Sequence, residues 1–87
     1  MAKKRKARYF ATYGEEWLRN IEGTKRAIIN RLKRASYTQM VDSLVIFPND
    51  EDGATDFDNP VYDAFDERDD FFSDAELSEV FGWQSLP

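Results

Sequence analysis

Eighty-seven residues suffice for one small domain with a modest core, and 15% aromatic residues favour a chain that folds over one that merely solvates. With no cysteine, disulfides and thiolate metal sites are excluded; with no histidine, the usual general base, the neutral-pH switch and the common zinc ligand go together. The net charge of −5 conceals a division: residues 1–36 hold eleven Lys/Arg against three Asp/Glu, a net +8, and residues 37–87 hold one against fourteen, a net −13.

A chain so polarised either folds one half onto the other or shows two opposite surfaces to partners. No apolar run approaches the length of a membrane span, and the basic start MAKKRKARYF has no hydrophobic region after it to make a secretory signal. The expectation is a soluble, intracellular (cytoplasmic) protein without a membrane partner.

Residues 1–8 form a basic tail in which Lys3, Lys4, Arg5, Lys6 and Arg8 cluster. Three readings stand for it: a solvated terminus, a phosphate-contacting arm, or a segment that docks on the chain's own acidic half. Residues 9–87 are read as a single domain, with strand, helix and strand over 9–47 and an acidic, aromatic-rich region over 48–87. The stretch RYFAT, 8–12, is aromatic and β-branched enough for a short strand.

Residues 13–36 then read as one long amphipathic helix, about 33 Å at the usual rise. Thr12 and Glu15 fit a capping box, and Glu15 and Glu16 at the start with Lys33 and Arg34 at the end suit the helix dipole. Trp17, Ile21, Ile28, Leu32 and Ala35, widened by Leu18 and Ile29, fall on one face at helical spacing. Arg19, Arg26 and Lys33 repeat every seven residues on the opposite face, with Glu22 and Asn30 between them and Gly23 on the polar side.

After a connector at 37–39, residues 40–47 (MVDSLVIF) make the best strand candidate, stopped by Pro48 and paired with RYFAT. Residues 49–59 are an acidic loop. Set against a calcium-binding EF-hand, Gly53 aligns Asp50 and Asp52 correctly, but Pro48 takes the first ligand position and Asn59 that of the bidentate glutamate, so the match fails at both ends. Residues 60–66 (PVYDAFD) can begin a short helix capped by Asn59, and Ser73 with Glu76 makes a capping box for a helix over 74–81 that Gly82 ends. Trp83 and Leu86 either fold back on the core or stay exposed.

The fold expectation is therefore α+β: one long N-terminal amphipathic helix packed on a minimal two-stranded sheet, with short acidic C-terminal helices. Catalysis has little footing. Ser36, Ser43, Ser73, Ser78 and Ser85 lack a histidine to activate them, fourteen acids make any chosen pair unspecific, and the four glycines form no phosphate loop. No cofactor and no metal is expected.

The leading expectation is a non-catalytic inhibitor or modulator. Its carboxylates would imitate spaced phosphates and occupy the basic groove of a nucleic-acid-binding protein. Asp56, Asp58, Asp63, Asp66, Glu67, Asp69, Asp70 and Asp74 would form the acidic face, with Phe71 and Phe72 as anchors. One alternative is a nucleic-acid-binding accessory protein using Lys3, Lys4, Arg5, Lys6, Arg8, Arg19, Arg26 and Lys33. Another is a structural or assembly subunit that forms homo-oligomers through its opposite charges.

Overall fold

The computed structural model describes residues 7–35, 40 and 42–82. Three strands come first in the chain: β1 (Arg8–Tyr13), β2 (Arg19–Thr24) and β3 (Val45–Pro48). Two short ones follow, β4 (Tyr62–Asp63) and β5 (Arg68–Asp69). They form one antiparallel sheet in the order β2-β1-β3-β4-β5. Among the described residues two eight-residue helices, α1 (Lys25–Leu32) and α2 (Asp74–Phe81), pack with the sheet.

The single long helix on a two-stranded sheet is overturned. Residues 13–36 break into the end of β1, a one-turn 3-10 helix at Glu15–Trp17, the whole of β2, and α1. Gly14 supplies the break, with φ +88° and ψ −174°, a backbone shape closed to most other residues. Residues 19–24 then alternate as a strand does, Ile21 and Gly23 facing inward. The helical stripe joined positions from different elements: Ile21 is buried from a strand, Ile28 and Leu32 from α1, and Trp17 and Leu18 stand exposed. Gly23, expected on a polar surface, is buried.

The capping box at Thr12 and Glu15 does not form, because the Thr12 hydroxyl donates to the Trp17 carbonyl at 2.9 Å. The working cap is Thr24, whose side chain accepts from the Ala27 amide.

Other expectations fare unevenly. RYFAT pairs with the apolar run of β3, in the register Thr12↔Val45 to Tyr9↔Pro48, and the strand runs through Pro48 instead of stopping before it. Its start is shorter than expected: Met40 is helical and buried, and residues 42–43 form a turn. The helix expected over 60–66 is replaced by β4, because Tyr62 and Asp63 complete the sheet against Ile46 and Val45. The second capping box forms as expected: Ser73 and Glu76 bond reciprocally, and Gly82 ends α2 in the left-handed conformation. Residues 1–6 of the tail, the 37–39 connector, Trp83 and Leu86 lie outside the described residues.

The pleat sorts side chains onto two faces. Ile21, Ala11, Ile46 and Tyr62 share one row across the sheet, on the side that α1 and α2 cover. Ile28, Ile29 and Leu32 of α1 are fully buried there, joined by Val80 and Phe81 of α2. Burying a side chain of this size contributes about 1.5–3 kcal/mol, which is why the helices close this side of the sheet. The next rows, Phe10 with Phe47 and Thr12 with Val45, point the other way, away from α1 and α2.

Candidate functional site: an aromatic groove between acidic loops

The uncovered face is walled by three loops. Residues 14–18 join β1 to β2, residues 56–59 lie beyond β3, and residues 64–67 turn β4 into β5. Each carries an exposed aromatic ring: Trp17 at 45% exposure, Phe57 at 63% and Phe65 at 68%. Each ring has carboxylates beside it in sequence (Glu15 and Glu16; Asp56 and Asp58; Asp63, Asp66 and Glu67), and none of the three loops carries a lysine or arginine.

The rings belong to one surface. Trp17 and Phe65 lie 6.3 Å apart between centroids, and Phe57 meets Phe47 edge-on at 5.0 Å and Phe10 at 6.1 Å. Between them runs a groove of about 350 Å³, with Thr12 and Val45 as its buried floor and Asp63 at its side.

Local hydrogen bonds hold each loop. The Trp17 indole Nε1 donates to the Ser43 carbonyl at 2.8 Å, the Gly14 amide donates to the Ser43 hydroxyl at 2.9 Å, and Thr12 holds the Trp17 carbonyl. Glu16 and Trp17 both have positive φ, 55° and 54°. Two adjacent non-glycine residues in the left-handed region cost free energy that nearby contacts must offset. The outcome is a large apolar ring fixed at the surface with its N–H already satisfied. Asp63 Oδ1 accepts the amides of Phe65 and Asp66, and Asp56 accepts the amide of Asp58 and the Asn59 side chain. These are Asx turns, in which a short carboxylate sets the path of the loop that follows it.

The expected acidic face thus divides. Asp56, Asp63 and Asp69 cap backbone amides, Asp70 pairs with Arg68 at 3.0 Å, and Asp58, Asp66, Glu67 and Asp74 are exposed. The anchors need correction. Phe71 is 5% exposed and Phe72 is half-buried against the core. Phe71 packs edge-on against Tyr9 at 4.9 Å and Phe72 at 4.8 Å, and Phe72 against Tyr62 at 5.2 Å, so both fasten α2 to the sheet. Among the described residues the exposed rings are Trp17, Phe57 and Phe65. Their one sequence signal is that each adjoins acids within a short polar segment, a pattern Phe71 and Phe72 partly share through Asp69 and Asp70.

The basic candidates are dispersed. Arg19 stands on β2, Arg26 on α1 and Lys33 at the C-cap of α1, so the three do not share one helix face. Arg26 and Lys33 both reach Glu79 of α2, at 2.8 and 3.0 Å, and Lys25 reaches Glu76 at 2.8 Å. Donation from Lys25 and from the Ser73 amide holds the Glu76 carboxyl below the ordinary glutamate value, and donation from Lys33 and Arg26 does the same for Glu79. Arg8 is exposed at the start of β1, and Lys3, Lys4, Arg5 and Lys6 lie outside the described residues.

Among the described residues, no group of three or more acidic, histidine or cysteine side chains is placed to hold a metal ion. No helix among them is long and apolar enough to cross a membrane. Comparison with protein-family models, with curated proteins and with solved structures finds no match.

Proposed function

We propose that this is a non-catalytic binding protein whose acidic surface occupies the basic groove of a nucleic-acid-handling protein and blocks or modulates it. The observation that carries the reading is the unequal fate of the two charges. Lys25, Arg26 and Lys33 are engaged by Glu76 and Glu79 of the same chain, with Arg8, Arg19, Arg31 and Arg34 left exposed, whereas the carboxylates of loops 56–59 and 64–67 face solvent on a turn-stabilised backbone. Carboxylates on such a frame can stand in for phosphates, and their field speeds encounter with a cationic partner in a salt-dependent way.

The test has two parts. Fluorescence anisotropy with labelled DNA and RNA, duplex and single-stranded, at low and physiological salt should show no binding. A partner captured from lysate should then be released by duplex DNA and lost when Asp58, Asp66, Glu67 and Asp74 become amides. Direct, salt-dependent binding of the labelled nucleic acids, or capture indifferent to the amide substitutions, would overturn the proposal.

A further inference from the structure

We infer that the groove between Trp17, Phe57 and Phe65 seats an arginine side chain of the protein partner; the inference rests on the acidic-docking reading above and names its anchor point. Three observations converge. The groove is lined by aromatic rings whose faces attract cations. Asp63 borders it with Oδ1 committed to the Phe65 and Asp66 amides, which leaves Oδ2 as the oxygen that can accept from a cationic N–H. The loops that wall it bring Glu15, Glu16, Asp56, Asp58, Asp66 and Glu67 and no basic residue of their own, so they carry a net negative charge to its rim.

An apolar side chain would satisfy the rings but leave the carboxylates uncompensated, and a stacked nucleobase would bring phosphates against those carboxylates. Arginine satisfies both parts. Its planar guanidinium stacks on aromatic faces, is weakly hydrated and keeps its charge at any accessible pH. The hydrogen bonds from Trp17 Nε1 to the Ser43 carbonyl and from the Thr12 hydroxyl to the Trp17 carbonyl hold one wall of the site in place before any partner arrives.

The test uses the full chain and a fluorescein-labelled peptide of alternating arginine and leucine, beside the same peptide with citrulline, the uncharged isostere, in place of arginine. At physiological salt the arginine peptide should bind, and citrulline should weaken it about tenfold or more. Phe65→Ser and Asp63→Asn should each weaken the arginine peptide by a similar factor, with thermal melting monitored by circular dichroism to show that each variant stays folded. Phe57→Ser gives an independent wall should Asp63→Asn disturb its turn.

Binding lost with Asp58, Asp66, Glu67 and Asp74 amides but untouched by Phe57→Ser and Phe65→Ser would overturn the arginine seat and leave acidic docking standing. Equal affinity for the arginine and citrulline peptides would also overturn it. No binding of the arginine peptide even at low salt would remove both readings, and tight binding of labelled single-stranded RNA through the same rings would replace them.

Discussion

Both faces of the sheet carry apolar side chains, the open one with Asn20, Glu22 and Asp63 in the same rows, and only one is closed. On the covered face Ala11, Ile21 and Ile46 meet Ile28, Ile29 and Leu32, and every buried side-chain polar atom among the described residues has a partner. On the open face Phe10 and Phe47 are half-buried and Phe57, Phe65 and Trp17 stand out into solvent. Aromatic rings left out of a core gather at recognition surfaces when they form a patch with a polar rim, and here the rim is acidic. The covered face holds the fold together, and the open face is available for a partner.

Perturbing the covered face should cost the most. Ile46→Ala empties a fully buried site on β3 and should destabilise the fold by about 2–5 kcal/mol in chemical denaturation. Gly14→Ala comes next, because φ of +88° strains any residue with a Cβ and the new atom would lie 3.4 Å from the Arg19 side chain. A loss of about 1–3 kcal/mol is expected, with Trp17 fluorescence reporting a displaced loop. Thr24→Ala removes the cap of α1 and should cost about 1 kcal/mol in the same assay.

The helix-to-helix ion pairs set the next step down. Glu76 and Glu79 have carboxyls lowered from 4.5 in the folded chain. Their stabilisation is therefore complete above the ordinary glutamate value and fades as pH falls through the lowered folded values. Glu79→Gln should lower the melting temperature modestly at neutral pH, and the gap from the parent should close in acid. A gap that persists in acid would assign the effect to packing. Smallest of all, Phe65→Ser on the open face should change stability by no more than about 0.5 kcal/mol.

The legible parts of this chain were those whose signals are local. The apolar run of β3 and the Ser73/Glu76 box were readable because each depends on residues a few positions apart or on one unmistakable run, and the pairing of β3 with β1 followed because these were the two candidate strands. The long helix misled because period 2 and period 3.6 coincide at particular spacings: Trp17, Ile21 and Ile28 fit a helical stripe while lying in a loop, a strand and a helix. Gly14 and Gly23 were the contrary signals, and Thr24, beside Gly23, was the better cap.

The strands β4 and β5 are two residues each, too short for any periodicity, and exist because β3 offers an edge. The site was half legible. The acids could be counted, but deciding which phenylalanines are buried required the sheet: Tyr9 and Tyr62 capture Phe71 and Phe72, leaving Phe57 and Phe65 outside.

The central claim is that the open, acid-rimmed face binds a cationic partner while Lys25, Arg26 and Lys33 are already paired with Glu76 and Glu79. Backbone amide chemical-shift mapping during titration with the arginine–leucine peptide tests it most directly. The account predicts shifts concentrated at residues 14–18, 56–59 and 63–67, with α1 and α2 unmoved. Shifts centred on Lys25, Arg26, Lys33, Glu76 and Glu79, with the three loops silent, would contradict it.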